Sequence, residues 1–154
     1  MDLKDIVKPE ALHAGLNATS KKHLMQELAQ RAAESYGLDA RTAFEALLDR
    51  ERLGPTGMGR GVAIPHARIA GLKHIVGVFV RLQRPVDYDA ADDEPVDLVF
   101  ALFAPESAGA DHLRALARIS RALRDPSVCA KLRAAETPAA IYAVLTNPVD
   151  SKAA

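Results

Sequence analysis

At 154 residues the chain is long enough for one domain with a sizeable core, and with 49% apolar residues but only 5% aromatics and no Trp, that core must come from Leu, Val, Ile and Ala. Twenty basic residues balance twenty acidic ones, which excludes bulk attraction to nucleic acid or an anionic membrane and leaves partner contacts to local patches. Met1-Asp-Leu-Lys-Asp has no leader pattern and the longest apolar run, Leu98 to Pro105, falls short of the ~18 residues of a membrane span, so a soluble cytoplasmic protein without membrane insertion is expected.

Ser20 to Tyr36 carries apolar residues at Leu24, Leu28, Ala32 and Tyr36, a helical spacing that Ser20 can cap and Gly37 can end. Asp39 opens a second helix to about Arg52, with Phe44, Leu47 and Leu48 inward. Gly54 to Gly61 holds four glycines in eight residues and reads as a loop whose backbone can take positive φ. Val62-Ala-Ile64 is a very short strand ending at Pro65-His66. Ile75 to Leu82 and the nearly continuous apolar stretch Val96 to Phe103 are strands, the latter covered on both faces. Between them Gln83 to Glu94 reads as a solvated loop or irregular hairpin; its aspartates match no recognised cation loop.

Three helices close the chain. Asp111 caps the first, with Leu113, Leu116, Ala117 and Leu123 inward; Asp125-Pro126 starts the next, and Thr137-Pro138 opens the last. In the middle one, Cys129 is either a small buried hydrophobe or a reactive thiol. Residues after Thr146 lack an apolar period, so a single domain over 1–148 and a frayed tail over 149–154 are expected. Helices at both ends around central strands predict one layered α/β domain, a mixed β-sheet flanked by helices.

His66 is the residue to explain. A neutral imidazole has an unperturbed pKa near ~6.5 and is a competent nucleophile at neutral pH. Exposed backbone N–H groups in the adjoining glycine segment suit an incoming phosphate.

The run Arg50-Glu-Arg-Leu-Gly-Pro-Thr-Gly-Met-Gly-Arg-Gly-Val-Ala-Ile-Pro-His66 resembles the signature of enzyme IIA domains of the fructose/mannitol class in the sugar phosphotransferase system. It is most similar to the nitrogen-related, stand-alone branch. Gly77-Val-Phe-Val, Pro95-Val-Asp-Leu-Val-Phe-Ala-Leu and His112-Leu extend the likeness over roughly Ser20 to Leu145. The resemblance implies a phosphocarrier fold in which His66 is phosphorylated by a small histidine phosphocarrier protein of the HPr or NPr kind. It places the family's arginine on Arg50 and its second histidine on His112. Three positions depart from the pattern: Pro55 stands where a small hydroxyl residue is usual and removes a backbone donor, and Ala67-Arg68 replaces a Gly-Lys type pair.

A phosphoryl group brings ~1.5 to 2 negative charges and three acceptor oxygens. Arg50 offers a guanidinium fork, and His112 a ring nitrogen near a helix start. Thr56, Gly57, Gly59 and Gly61 are candidate further donors. Which ring nitrogen of His66 takes the group stays open here. His13, His23 and His74 read as surface histidines, and Arg60 and Arg68 as partner-facing or solubilising cations.

The expected function is a phosphoryl-accepting regulator that controls target proteins by its phosphorylation state. The alternative is a transport component handing the group to a fructose- or mannitol-type permease IIB domain. A third class, a metal-dependent hydrolase on His66 and His112, lacks a third ligand or a His-Glu-Xaa-Xaa-His spacing, so neither metal nor cofactor is expected.

Overall fold

The computed structural model describes residues 1–147. After a short 3-10 turn at Leu3–Asp5 come β1 (Val7–Leu16), α1 (Lys21–Tyr36) and α2 (Ala40–Arg52). The strands β2 (Gly57–Gly59), β3 (Val62–Ala63), β4 (His66–Ile69), β5 (Val76–Val86) and β6 (Val96–Pro105) follow, then α3 (Ala110–Arg124), α4 (Pro126–Ala134) and α5 (Pro138–Thr146). The tail expected over 149–154 lies outside the described residues.

The six strands make one mixed sheet in the order β1-β5-β6-β3-β2, with β4 also on β6. β6 is central and buried along nearly its whole length. It runs antiparallel to β5 on one side and parallel to both β3 and β4 on the other. α1 and α2 pack on each other and on β1, β5 and β4, whereas α3 and α4 pack on β6 and α5 on β1. The core is aliphatic with three buried phenylalanines, Phe79, Phe100 and Phe103, as the scarcity of aromatics required.

The helix ends follow local chemistry. Ser20, Asp39, Asp125 and Thr137 each accept a backbone N–H at a helix start, and Gly37 closes α1 at φ 73°, where a Cβ would be strained. Tyr36 then ties that end to the sheet: its hydroxyl accepts from the Lys8 amide at 3.0 Å and donates to the Gly77 carbonyl at 2.6 Å. Burial pushes this phenol up to about 12.

Four expectations are corrected. The glycine segment is no plain loop, because Gly57–Gly59 pairs antiparallel with β3. The Gln83–Glu94 stretch is partly strand and partly core: β5 continues to Val86, and Tyr88 is fully buried. Asp111 does not cap α3; the cap is Gly109, and Asp111 lies in the first turn, paired with Arg114 at 2.6 Å. The inward face of α3 is His112, Ala115, Ile119 and Leu123, so Leu113 (68% exposed) and Ala117 point outward. The 10-residue β1 has no counterpart in the sequence reading. Cys129 is buried, and its thiol, pushed up by burial, donates to the Leu123 carbonyl: it is the small hydrophobe.

Candidate functional site

β3 and β4 lie along one side of β6 as two halves of an interrupted strand. Val62 and Ala63 pair with Leu98 and Val99, and His66 to Ile69 pair with Leu102 to Pro105. The break is Ile64-Pro65, where proline has no N–H for a ladder. There the Ile64 amide turns to the Thr56 carbonyl, and the Pro65 carbonyl accepts from Leu102. His66 is the first residue after the break, so its side chain leaves a rigid sheet where the backbone is already redirected.

Three hydrogen-bonding facts define the His66 ring. Nδ1 lies 2.9 Å from the Ile64 carbonyl oxygen, which can only accept, so Nδ1 carries the proton. Nε2 therefore presents a lone pair, and Arg50 Nε donates to it at 3.3 Å. Arg50 is itself held by donation from Nη1 to the Gly54 carbonyl at 2.9 Å. Burial, with the Arg50 charge adding to it, lowers the His66 pKa, partly offset by the Ile64 contact. The ring is neutral at pH 7.

His112 approaches from the first turn of α3. Its ring stands edge-on to His66 with centroids 5.6 Å apart. Arg68 Nε donates to His112 Nδ1 at 3.4 Å; a guanidinium can only donate, so the His112 proton sits on Nε2. That Nε2 is buried and has no partner among the described residues. Burial lowers the His112 pKa, and the His66 and Arg68 charges act in the same direction. One face thus holds a lone pair, a guanidinium and an unused N–H donor.

The other candidates sort by geometry. Thr56 is buried, but both its amide and its hydroxyl donate to the Glu51 carboxylate, so it offers no free donor. Gly57 is engaged in the β2–β3 ladder. Gly59 and Gly61 are not brought to His66: Gly61 pairs with the start of β6, where its carbonyl accepts from Asp97 and Leu98, about 13 Å along the strand from Leu102. A Cβ on Gly61 would lie 2.6 Å from Arg133 Nη2, so this glycine makes room for the Arg133–Asp97 pair. His74 is exposed; His23 accepts from Thr19 at the start of α1; His13 stands in β1 with Nε2 buried.

Sequence reasoning gave no role to Glu51. Its carboxylate, 6% exposed, accepts from Thr56 and Tyr88 and pairs with Lys21 at 2.7 Å. It joins the end of α2 to the glycine hairpin and to the buried Tyr88, and so sets where Arg50 begins its reach. Its place between the two arginines was readable, but not which way it points.

The chain belongs to the family described as "Phosphoenolpyruvate-dependent sugar phosphotransferase system, EIIA 2", whose profile matches residues 5–147. It is 54% identical over 148 residues to a nitrogen regulatory protein of Bradyrhizobium diazoefficiens, covering 96% of this chain and 97% of that one. To the nitrogen regulatory protein of Klebsiella oxytoca it is 37% identical, with 96% and 91% covered. The crystal structure of the nitrogen regulatory protein IIA-Ntr from Neisseria meningitidis superposes with a TM-score of 0.88 at 36% identity, over 94% of this chain and 99% of that one. Among the described residues no helix is long and apolar enough to cross a membrane, and no three His, Cys, Asp or Glu side chains are grouped to hold a metal ion.

Proposed function

We propose that this protein accepts a phosphoryl group on His66 Nε2 from a histidine phosphocarrier of the HPr or NPr kind, and controls target proteins by whether it carries that group. The observation that carries the reading is the pair of ring tautomers: His66 holds a lone pair, and His112 holds an unpartnered N–H, on one face beside Arg50. As Arg50 moves its N–H from Nε2 to the incoming phosphoryl oxygens, the freed Nε2 electron pair forms the new P–N bond, the donor's P–N bond breaks, and the donor nitrogen takes its pair back. Nδ1 keeps its proton on the Ile64 carbonyl, so no general base is needed. Arg50 and His112 donate to the phosphoryl oxygens, which carry the charge of the transition state. The regulatory half rests on similarity to the nitrogen regulatory proteins.

The test is a phosphoenolpyruvate-driven relay reconstituted with enzyme I and a histidine phosphocarrier, read by mass spectrometry and by nitrogen NMR of the labelled ring. One phosphoryl group is expected on Nε2 of His66 and none on His66→Ala. Charge-assisted hydrogen bonds contribute ~1.5–3 kcal/mol each, so Arg50→Ala or His112→Ala slows transfer roughly ten- to a hundredfold. A full adduct on His66→Ala would remove the assignment. Efficient onward transfer to a sugar permease component, with uptake lost in its absence, would replace the regulatory reading by the transport one.

A further inference from the structure

A second concavity lies away from His66, between the start of β1, the junction of α1 with α2, and the β4–β5 connection. Its volume is about 690 Å3, within the ~300–1,000 Å3 range of small-molecule sites. The floor is apolar and only partly covered: Tyr36, Leu38, Leu72, Ile75 and Val76 all retain exposure. The rim is cationic. Lys4 and Lys73 are exposed and make no ion pair among the described residues, and Lys8 lies over the Tyr36 ring at 5.4 Å from its centroid. Two carboxylates share the rim and keep their charge, Asp39 accepting from the Thr42 amide and hydroxyl and Asp5 from the Asp2 amide, so the three lysines leave the rim net positive by one. Exposed lysines around a wet apolar floor complement an apolar body that bears a negative charge.

The elements that border the cleft are those that build the phosphoryl site. α2 begins at the cleft, where Asp39 caps it, and ends at Arg50. β4 begins at His66 and ends at Ile69, in the wall of the cleft. α2 and β4 also pack on each other. A ligand seated against the β4–β5 connection and the start of α2 therefore touches the two elements that carry His66 and Arg50.

We infer that this cleft is a second binding site, for a small organic anion with an apolar body, and that its occupancy is felt at His66 through α2 and β4. The site stands apart from the phosphoryl reading; only the consequence, an effector that tunes how readily His66 is phosphorylated, rests on it.

The probe is 8-anilinonaphthalene-1-sulfonate, with uncharged N-phenyl-1-naphthylamine as its control, titrated by fluorescence against the whole protein. Saturable one-to-one binding of the sulfonate is expected, with amide shifts at Leu38, Leu72 and Ile75. The Lys4→Ala/Lys73→Ala double variant should weaken it about five- to tenfold and alter the neutral dye by less than about twofold. Both lysines are exposed, so the variant should fold as the parent does, which its circular dichroism and melting curve will report. No saturable binding, or sulfonate binding unchanged in the double variant, overturns the site. Nitrogen and proton shifts of the His66 ring should move as the cleft fills; saturation with that ring unmoved overturns the coupling. Neither readout uses the relay, so failure here is distinguishable from failure of phosphorylation at His66.

Discussion

A carbonyl on one ring nitrogen and a guanidinium on the other choose the tautomer of His66, and the same logic inverted chooses that of His112. The consequence extends to pH. Burial lowers the pKa of both rings below the ordinary 6.5, so the unfolded chain binds these protons more readily than the folded one. Stability is therefore fully present above about pH 6.5 and is lost as pH falls through the depressed folded values. Urea midpoints should decline from pH 7.5 to 5, and less steeply for the His66→Gln/His112→Gln double variant; equal slopes would show that other groups govern the decline, His13 first, whose pKa burial also lowers. His66, Arg50 and His112, which motif and chemistry singled out, do lie together in the structure. Glycine chemistry was over-read: Gly59 and Gly61 serve a hairpin turn and the Arg133–Asp97 pair, a use that depends on chain neighbours 36 or more residues away.

At the scale of elements, capping residues made the helices readable, whereas pairing across the sheet did not announce itself. β1 carries Pro9, Glu10 and Gly15, and its register against β5 slips between Val7 and Leu12, which breaks any alternation. β5 slips likewise between Arg81 and Val86, so a polar stretch that reads as loop remains in the sheet. α3 was misaligned because its first leucine, Leu113, was taken as core, while His112 and Ala115 are the ones that face in. One junction between elements supports a prediction. Glu51 holds the α2 end, the glycine hairpin and Tyr88 together, and charged hydrogen bonds of this kind contribute ~1.5–3 kcal/mol. Glu51→Ala should lower unfolding free energy by about 2–3 kcal/mol. It should also slow phosphoryl acceptance under conditions where the variant is fully folded, since Arg50 is anchored on Gly54, just before that hairpin. Restored transfer in Glu51→Gln, which keeps the acceptor and loses the charge, would separate positioning from electrostatics. Transfer at the parental rate in folded Glu51→Ala would leave Glu51 a purely structural residue.

Across the whole molecule, the central β6 is buried along nearly its whole length, and the His66 ring is placed where the strand beside it restarts. The end of α2 reaches His66 through Arg50 and the start of α3 through His112, and each helix end leaves one large apolar side chain in water. Leu53 caps α2 just past Arg50 and is 84% exposed, and Leu113 follows His112 at 68%. With Met1 they are the large hydrophobics most exposed among the described residues. Side chains so exposed add little to folding, because they bury almost nothing on it. On the proposed reading, in which His66 meets a phosphocarrier, they fit the role of contact anchors that a partner desolvates, while Arg52 and Arg114 are ion-paired with Asp49 and Asp111. Leu53→Ser/Leu113→Ser should therefore leave the melting curve within about 0.5 kcal/mol of the parent. The same variant should raise the KM for the phosphocarrier several-fold while the maximal transfer rate holds, the signature of lost docking with intact chemistry. A fall in maximal rate at unchanged KM would instead mean that the leucines act on the geometry of His66 and His112, and the docking face would have to be sought elsewhere.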